Sequence, residues 1–442
     1  MGCIAFLSLP GMTKTHEKYE WIPGSQPPEI DAHSVVKHQI VKGYLGRYIQ
    51  ILMSNVRRER LAVSIVDGFA GGGEYFDPES RTYRDGSPLI AIDTVREAHA
   101  LLNIDRIKER QVDAKFYFVE KSASSVAYLR GLLERRYGAQ RLATDISVRQ
   151  GEFLKQFDAI CSEIRARDRA QRALFLLDQF AYNQVPGPLL GRIFREIAGA
   201  EVILTFNVDS LATYLGNNAK SHRIMQRMGM EGDIDWKAVE ALKNAPPAQW
   251  RAMIQRNLAN ALVKASGARH YTIFYITPLG KSPWTYWLVH LSNNYRARDV
   301  MMDLHWQQAN HFSNFLEPDI FTLGYRTGSD ENATHQSAME LGEEHSFDAI
   351  ADERCRDGLS RKLVPILYDR EEPMTFGDLL LSMGSNTPAT ESMIRAALSP
   401  ALQAGELSAT SEDGSRREKG TTLKATDFIG PSSQKLLFLP GN

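Results

Sequence analysis

The chain predicts an α/β fold, a mostly parallel sheet with helices on both faces. Three observations carry that expectation. Short apolar runs alternate with helical stretches through most of the N-terminal two thirds. The first run, Val63-Ser64-Ile65-Val66, ends in Asp67 and breaks into Gly68-Phe69-Ala70-Gly71-Gly72-Gly73. Acidic residues then recur at the ends of later runs. Alternation of this kind implies βαβ units. A buried strand that runs into a glycine-rich turn is how such sheets meet a nucleotide-like ligand.

The elements follow in order. After a Pro/Gly-rich lead (1–34), Val36, Ile40, Tyr44, Tyr48 and Ile51 recur at helical spacing over 33–55, with basic residues on the other face. Strands are expected at 62–67, 115–119, 145–149, 173–177 and 201–206. Helices are expected at 88–102, 122–137, 153–168 and 187–198. Ser87 and Pro88 read as N-cap and first helical residue of the first crossover. Residues 209–268 read as a helical insertion. Two further strands, 271–276 and 285–291, are joined closely enough for a hairpin that closes the sheet with an antiparallel strand at its edge. The α/β unit thus spans 35–325. Residues 326–347 are polar and read as a linker. Over 348–442, three helical stretches precede two short β-like runs around Gly414-Ser415-Arg416-Arg417, the layout of a winged helix-turn-helix.

Composition bounds the function. The 442 residues are 43% apolar and 24% charged, with a formal net charge of -1, so no global basic field announces a nucleic-acid binder. Cys3, Cys161 and Cys355 are far apart without CxxC spacing, which argues against a disulfide framework or zinc site and for the reducing cytoplasm. No signal peptide or membrane-spanning run is visible, and Phe6 departs from the myristoylation pattern that Met1-Gly2 opens.

Gly68, Gly71, Gly72 and Gly73 lack a Cβ, so the backbone can pass close to a bound molecule. Glu120, ending the second strand, is placed to hydrogen-bond ribose hydroxyls. Gly151-Glu152 follows the third strand, where an exocyclic amine could be held, and Asp178-Gln179-Phe180-Ala181-Tyr182 follows the fourth. The plainer account is that each carboxylate caps the helix after it. The GxGxxG fingerprint is absent, and the distance from Gly73 to Glu120 well exceeds the roughly 20 residues of the NAD pattern. The P-loop Gly-Lys-Ser/Thr is absent too. His305, Trp306 and His311 lack a third ligand at a convincing spacing, so no metal site is expected.

The ordered set Asp67-Gly68-Phe69-Ala70-Gly71 with Tyr75, Gly86-Ser87-Pro88-Leu89, Phe118-Val119-Glu120-Lys121, Asp178 and Trp284–Leu291 resembles the class I S-adenosylmethionine-dependent methyltransferases. More closely it resembles the three-Cys-motif partner proteins (TcmP), over most of residues 35–430. The resemblance implies a Rossmann-like methyltransferase sheet and S-adenosylmethionine as cofactor. Asp67, Gly68, Phe69, Ala70, Gly71 and Gly73 would lie under its methionine part. Glu120 with Lys121 would meet the ribose, and Glu152 with Phe153 the adenine. Asp178, Gln179, Phe180 and Tyr182 match the site where amino-methyltransferases carry Asp/Asn-Pro-Pro-Tyr/Phe, although Gln179 replaces the first Pro and Ala181 precedes Tyr182. A flipped base would stack on the aromatic ring there. The acceptor would be DNA or RNA, contacted by Lys37 at the crevice mouth and by Arg416, Arg417 and Lys419 in the wing. The helix bearing Lys37 reads more readily as a solvated basic face, and winged helices also dock proteins. The other function the resemblance implies is a scaffold with little or no catalysis, working with a three-Cys-motif protein.

Overall fold

The computed structural model describes residues 19–179, 184–206, 215–241, 258, 260–276, 286–307, 313–314, 345–346 and 349–432 except 371, 386 and 419. Its centre is a seven-stranded sheet. The strands are β1 (Arg60–Asp67), β4 (Gln111–Glu120), β5 (Ile146–Gln150), β6 (Arg172–Asp178), β7 (Gly199–Phe206), β8 (His270–Ile276) and β9 (Tyr286–Ser292), in the order β5-β4-β1-β6-β7-β9-β8. β1 runs parallel to both β4 and β6, and β5 and β7 extend the parallel set on either side. β9 is antiparallel to β7 and to β8. The mostly parallel sheet with an antiparallel last strand is therefore borne out, as in the class I methyltransferase fold. The antiparallel strand is not at the edge, however. The β8–β9 hairpin folds back so that β9 pairs on both sides and β8 takes the rim.

Successive side chains of a strand point to opposite faces, and the core is split accordingly. Val63 and Ile65 of β1 join one cluster with Ile40, Tyr44 and Leu89. Val66 joins the other with Phe157, Leu189 and Met228. The first cluster lies under α1 (Ala32–Leu52), α2 (Ser87–Leu102) and α3 (Ala123–Tyr137), with the short α4 (Ala139–Thr144) following. The second lies under α5 (Phe153–Arg167) and α6 (Gly187–Glu196), together with α7 (Ala219–Met228) and α8 (Trp236–Ala241) from the stretch expected to be a helical insertion. Ser122 caps α3 through its hydroxyl, and Gly229 stops α7 at φ 69°, a left-handed conformation that suits glycine. Ser87 is not the cap expected of it. Gly86 occupies that position, and Ser87 is the first helical residue, facing Asp67.

One segment expected only as an insertion has a regular form. Residues 74–85 make a hairpin of β2 (Glu74–Asp77) and β3 (Thr82–Asp85) beside the glycine turn.

Beyond α9 (Tyr295–Gln307) and the short pair β10 (Ser313–Asn314) with β11 (His345–Ser346), a C-terminal unit has its own core. It holds α10 (Ala349–Tyr368), α11 (Phe376–Met383) and α12 (Glu391–Ala404). A three-stranded sheet of β12 (Met374–Thr375), β14 (Phe428–Pro431) and β13 (Leu407–Thr410) completes it, in the order β12-β14-β13. This unit is clasped to α9. Arg298, fully buried, donates to Ala389 O at 2.7 Å and to Thr387 O. Trp306 Nε1 donates to Pro388 O at 2.7 Å, and the Glu391 N–H to Asp299 Oδ1 at 2.7 Å. Among the described residues, no helix is long and apolar enough to cross a membrane.

Candidate functional site

β1 and β6 are neighbours that leave in opposite directions, since the chain passes from β1 to β4 on one side and later returns to β6 on the other. Ligands of open α/β sheets bind in the crevice at such a switch point, outside the carboxyl ends of the strands. Asp67 ends β1 and Asp178 ends β6, so both carboxylates stand there.

The turn after Asp67 is stitched to both flanking strands. The Gly68 N–H donates to Leu176 O at 2.9 Å, and the Ala70 N–H to Val119 O at 3.0 Å. Glu120 accepts from the Gly71 N–H at 3.0 Å through Oε2, and from the Ser122 N–H at 2.8 Å through Oε1. A carboxylate has about four lone-pair positions, so Glu120 keeps acceptor capacity for hydroxyls while fixing the turn. Asp67, 1% exposed, accepts from the Phe69 N–H at 3.0 Å through Oδ1, while buried Oδ2 makes no hydrogen bond. Burial pushes this carboxyl up to about 7. Ser87 and the Phe69 N–H temper the rise, and Asp178 and Glu120 add to it.

The glycines of the turn have a use that the sequence did not reveal. Gly71 and Gly73 adopt φ of 58° and 89°, where a side chain would be strained. A Cβ on Gly72 would lie 2.1 Å from Trp21 Cγ. At Gly68 the space is filled by Leu177 and Phe153, and at Gly73 by Leu129 and Leu89. The expectation that these missing Cβ atoms admit a bound molecule is corrected on those positions. The chain's own side chains occupy the space.

At the other half of the crevice, Lys37 Nζ, from the first turns of α1, donates to Asp178 Oδ1 at 2.8 Å and Oδ2 at 2.6 Å. Lys37 is only 7% exposed, so its pairing with Asp178 replaces both the solvated basic face and the phosphate contact expected of it. The Asp178 side chain is 46% exposed toward the crevice. Burial would raise its carboxyl, but the Lys37 charge and hydrogen bonds, with Thr205 and His38, outweigh that and hold it below the usual range. Between the two ranges, Asp178 is ionised while Asp67 still carries its proton. Environments that push two carboxyls apart in this way mark sites of distinct chemical roles.

The remaining expected residues are distributed as follows. Gln179 is buried, and its Oε1 accepts from the Gln184 N–H at 3.1 Å and the Val185 N–H at 2.9 Å, closing the loop after β6. Phe180 and Tyr182 lie outside the described residues. Glu152 pairs with Lys155 at 3.0 Å and Lys121 at 3.4 Å, which hold its carboxyl below the usual range. Phe153 is buried in the core with Phe157 and Phe175, under Phe69 and Gly68. In the C-terminal unit Arg416 is exposed, whereas Arg417 donates to Asp427 Oδ1 at 3.0 and 2.7 Å and is spent on that buried carboxylate. Lys419 lies outside the described residues. Cys161 and Cys355 are buried core thiols pushed up to about 12 by burial. Among the described residues no group of three or more His, Cys, Asp or Glu could hold a metal ion.

Sequence reasoning missed Trp21, Tyr75 as its packing partner, and Ser87 as a neighbour of Asp67. The signal on offer was the aromatic pair Tyr19 and Trp21 in a lead read as Pro/Gly-rich.

Asp67 gives a pH signature. A carboxyl raised from about 3.9 in the unfolded chain to about 7 in the folded one stabilises the fold fully below pH 4. That contribution is lost as pH rises through 7, because the unfolded chain gives up its proton first. Asp67→Asn carries no such cost. Its stability relative to the native protein should therefore rise between pH 4 and 7.5, by up to about 4 kcal/mol. Urea unfolding of both proteins across that range measures the difference. A difference that stays flat, or falls, rejects the buried-acid account of Asp67.

No family model matches the chain, and no curated protein matches it. Solved structures are similar in fold. A DUF519-family protein from Legionella pneumophila str. Philadelphia 1 is 11% identical, covering 62% of this chain and 92% of its own, with a TM-score of 0.36. The METTL16 MTase domain is 8% identical, covering 56% and 66%, with a TM-score of 0.26. The N-terminal domain of EvdMO1 with SAH bound is 13% identical, covering 64% and 94%, with a TM-score of 0.25. At such values the strand order, rather than these likenesses, carries the fold.

Proposed function

We propose that the chain is an S-adenosylmethionine-dependent methyltransferase with Lys37–Asp178 at its acceptor end. The observation that carries this reading is the juxtaposition at the switch point. A glycine turn with two carboxylates, Asp67 and Glu120, faces an ion-paired Asp178 one strand away. Glu120 of the first half suits the cofactor's ribose hydroxyls, and Asp67 would fix the turn beneath its methionine part. Methyl transfer is a displacement at sulfur that needs alignment above all, and positioning alone supplies large rate factors. Lys37 and Asp178 would orient the accepting atom and balance the charge that develops on it.

The acceptor is read as nucleic acid, brought to the crevice by the C-terminal unit acting as a winged helix. Arg416 on its exposed ribbon supports that. The pairing of Arg417 with Asp427 and the flanking acids Glu412, Asp413 and Glu418 favour a second role for the unit, docking a protein such as a three-Cys-motif partner.

Calorimetry tests the cofactor half. The native chain should bind S-adenosylmethionine, and Glu120→Ala should weaken binding at least about tenfold, the loss of one charge-assisted hydrogen bond. Binding undetectable at millimolar cofactor would sink the methyltransferase reading. Binding untouched by Glu120→Ala would move the site elsewhere on the sheet.

A further inference from the structure

The residues before α1 are built into the crevice. Trp21 is 3% exposed, and its Nε1 donates to Glu74 O at 2.6 Å. Its ring lies on the glycine turn, so that a Cβ on Gly71 would come within 2.8 Å of it and one on Gly72 within 2.1 Å. Tyr75 meets Trp21 edge-on at 5.3 Å between centroids, and Tyr19 stacks on it at 6.3 Å. Such pairs prefer these edge and offset arrangements and add to simple burial. Further along, the Phe76 N–H donates to Pro28 O and the Ile30 N–H to Phe76 O, both at 2.9 Å. The segment 19–31 is therefore tied to the β2–β3 hairpin at three places, and it leads directly into the helix that carries Lys37. Tyr75 is in turn near enough to Asp178, Asp67 and Glu120 to feel all three charges, which brings this aromatic wall to the crevice.

We propose that Trp21 is a positioning residue for the cofactor site: its ring holds the Gly71-Gly72 turn against Glu120, and the segment 19–31 forms the crevice's third wall. The inference rests on the methyltransferase reading for the identity of the ligand, but not for the mechanics of the turn. Two glycines in succession are then required by an internal tryptophan as much as by any ligand. Removing the ring, or forcing it out, should have one and the same local effect.

The full chain tests this with three variants, Trp21→Ala, Trp21→Phe and Gly72→Ala, where the added methyl cannot coexist with the ring. Hydrogen exchange on the cofactor-free protein reads the turn directly. In Trp21→Ala and Gly72→Ala, amides of 68–76 should exchange at least about tenfold faster, with those of 199–206 unchanged, and Trp21→Phe should fall between. Binding of S-adenosylmethionine by calorimetry should weaken at least about tenfold in the same two variants and recover in part with Phe. Unchanged exchange at 68–76 in both variants overturns the proposal. So does faster exchange with undiminished cofactor binding, since the wall would then not belong to the site. Were Trp21→Ala to loosen 199–206 as well, Gly72→Ala decides alone: loosening confined to the turn supports the proposal, and none overturns it. If the native chain binds no S-adenosylmethionine, the methyltransferase reading fails at that step, while the exchange arm still decides whether Trp21 sets the turn.

Discussion

Replacing Lys37 by Met should lower methyl transfer about 10²–10³-fold, the usual cost of removing one preorganised charged group from a reacting centre, with cofactor affinity unchanged. Methionine matches the apolar stem of lysine and fits where it is buried, so α1 stays seated. What is lost is the ammonium that donates twice to Asp178. Asp178 is then left with burial pushing its carboxyl up, opposed by Thr205 and His38 without the larger Lys37 contribution. It should begin to take up protons nearer neutrality, so the residual activity should show a new acid limb. Lys37→Arg restores the charge but not the geometry, because a planar fork is not a compact ammonium, and should recover only part of the rate. A tritiated methyl-transfer assay on DNA, RNA and protein, run across pH, measures all three proteins. Native rates from Lys37→Met would remove the ion pair from the acceptor end altogether.

The second large effect is on stability. Arg298→Ala should destabilise the protein by about 3 kcal/mol, because hydrogen bonds to a charged group are worth about 1.5–3 kcal/mol each and their buried acceptors would be stranded. Those acceptors are the carbonyls of Thr387 and Ala389. Burial already holds the guanidinium below its usual range, with Tyr295 and Asp299 restoring part of it, so the gain from removing a desolvated charge moderates the loss. Since Arg298 joins two units with separate cores, the variant should also unfold in two steps where the native chain unfolds in one. Urea denaturation followed by tryptophan fluorescence and far-UV circular dichroism reads both features. A loss under about 1 kcal/mol, typical of surface substitutions, would mean that the clasp is incidental.

The sheet was legible because periodicity survives in a single chain. Runs such as Phe116–Val119 and Phe175–Leu177 are buried on both sides and can hardly be anything but central parallel strands. The position of β9 was less legible, since a hairpin fixes that two strands pair but not which of them also takes the neighbour. At the site, Asp67, Glu120 and Asp178 were found because strand ends are predictable places. Lys37 was ambiguous because its partner is 141 residues away, and an amphipathic helix with basic residues reads the same whether or not one of them is buried. Trp21 was hard to place for another reason. The lead has Pro and Gly and no period, and nothing in its pattern reports a ring pressed on a turn fifty residues later. Arg417 was misread because charge counting does not say which cations are already satisfied.

The clasp on α9 has a bearing on how such a chain can be inherited. Tyr295 and Trp306 of α9 pack against the core of the C-terminal unit, and Arg298 donates to two carbonyls of that unit's loop. A gene fusion that exchanged the C-terminal unit for an unrelated one would leave an aromatic face and a stranded guanidinium on the donor. The piece that could be exchanged without stranding these groups is therefore larger than the unit with its own core. An exchange that keeps the clasp intact would carry α9 along with the C-terminal unit.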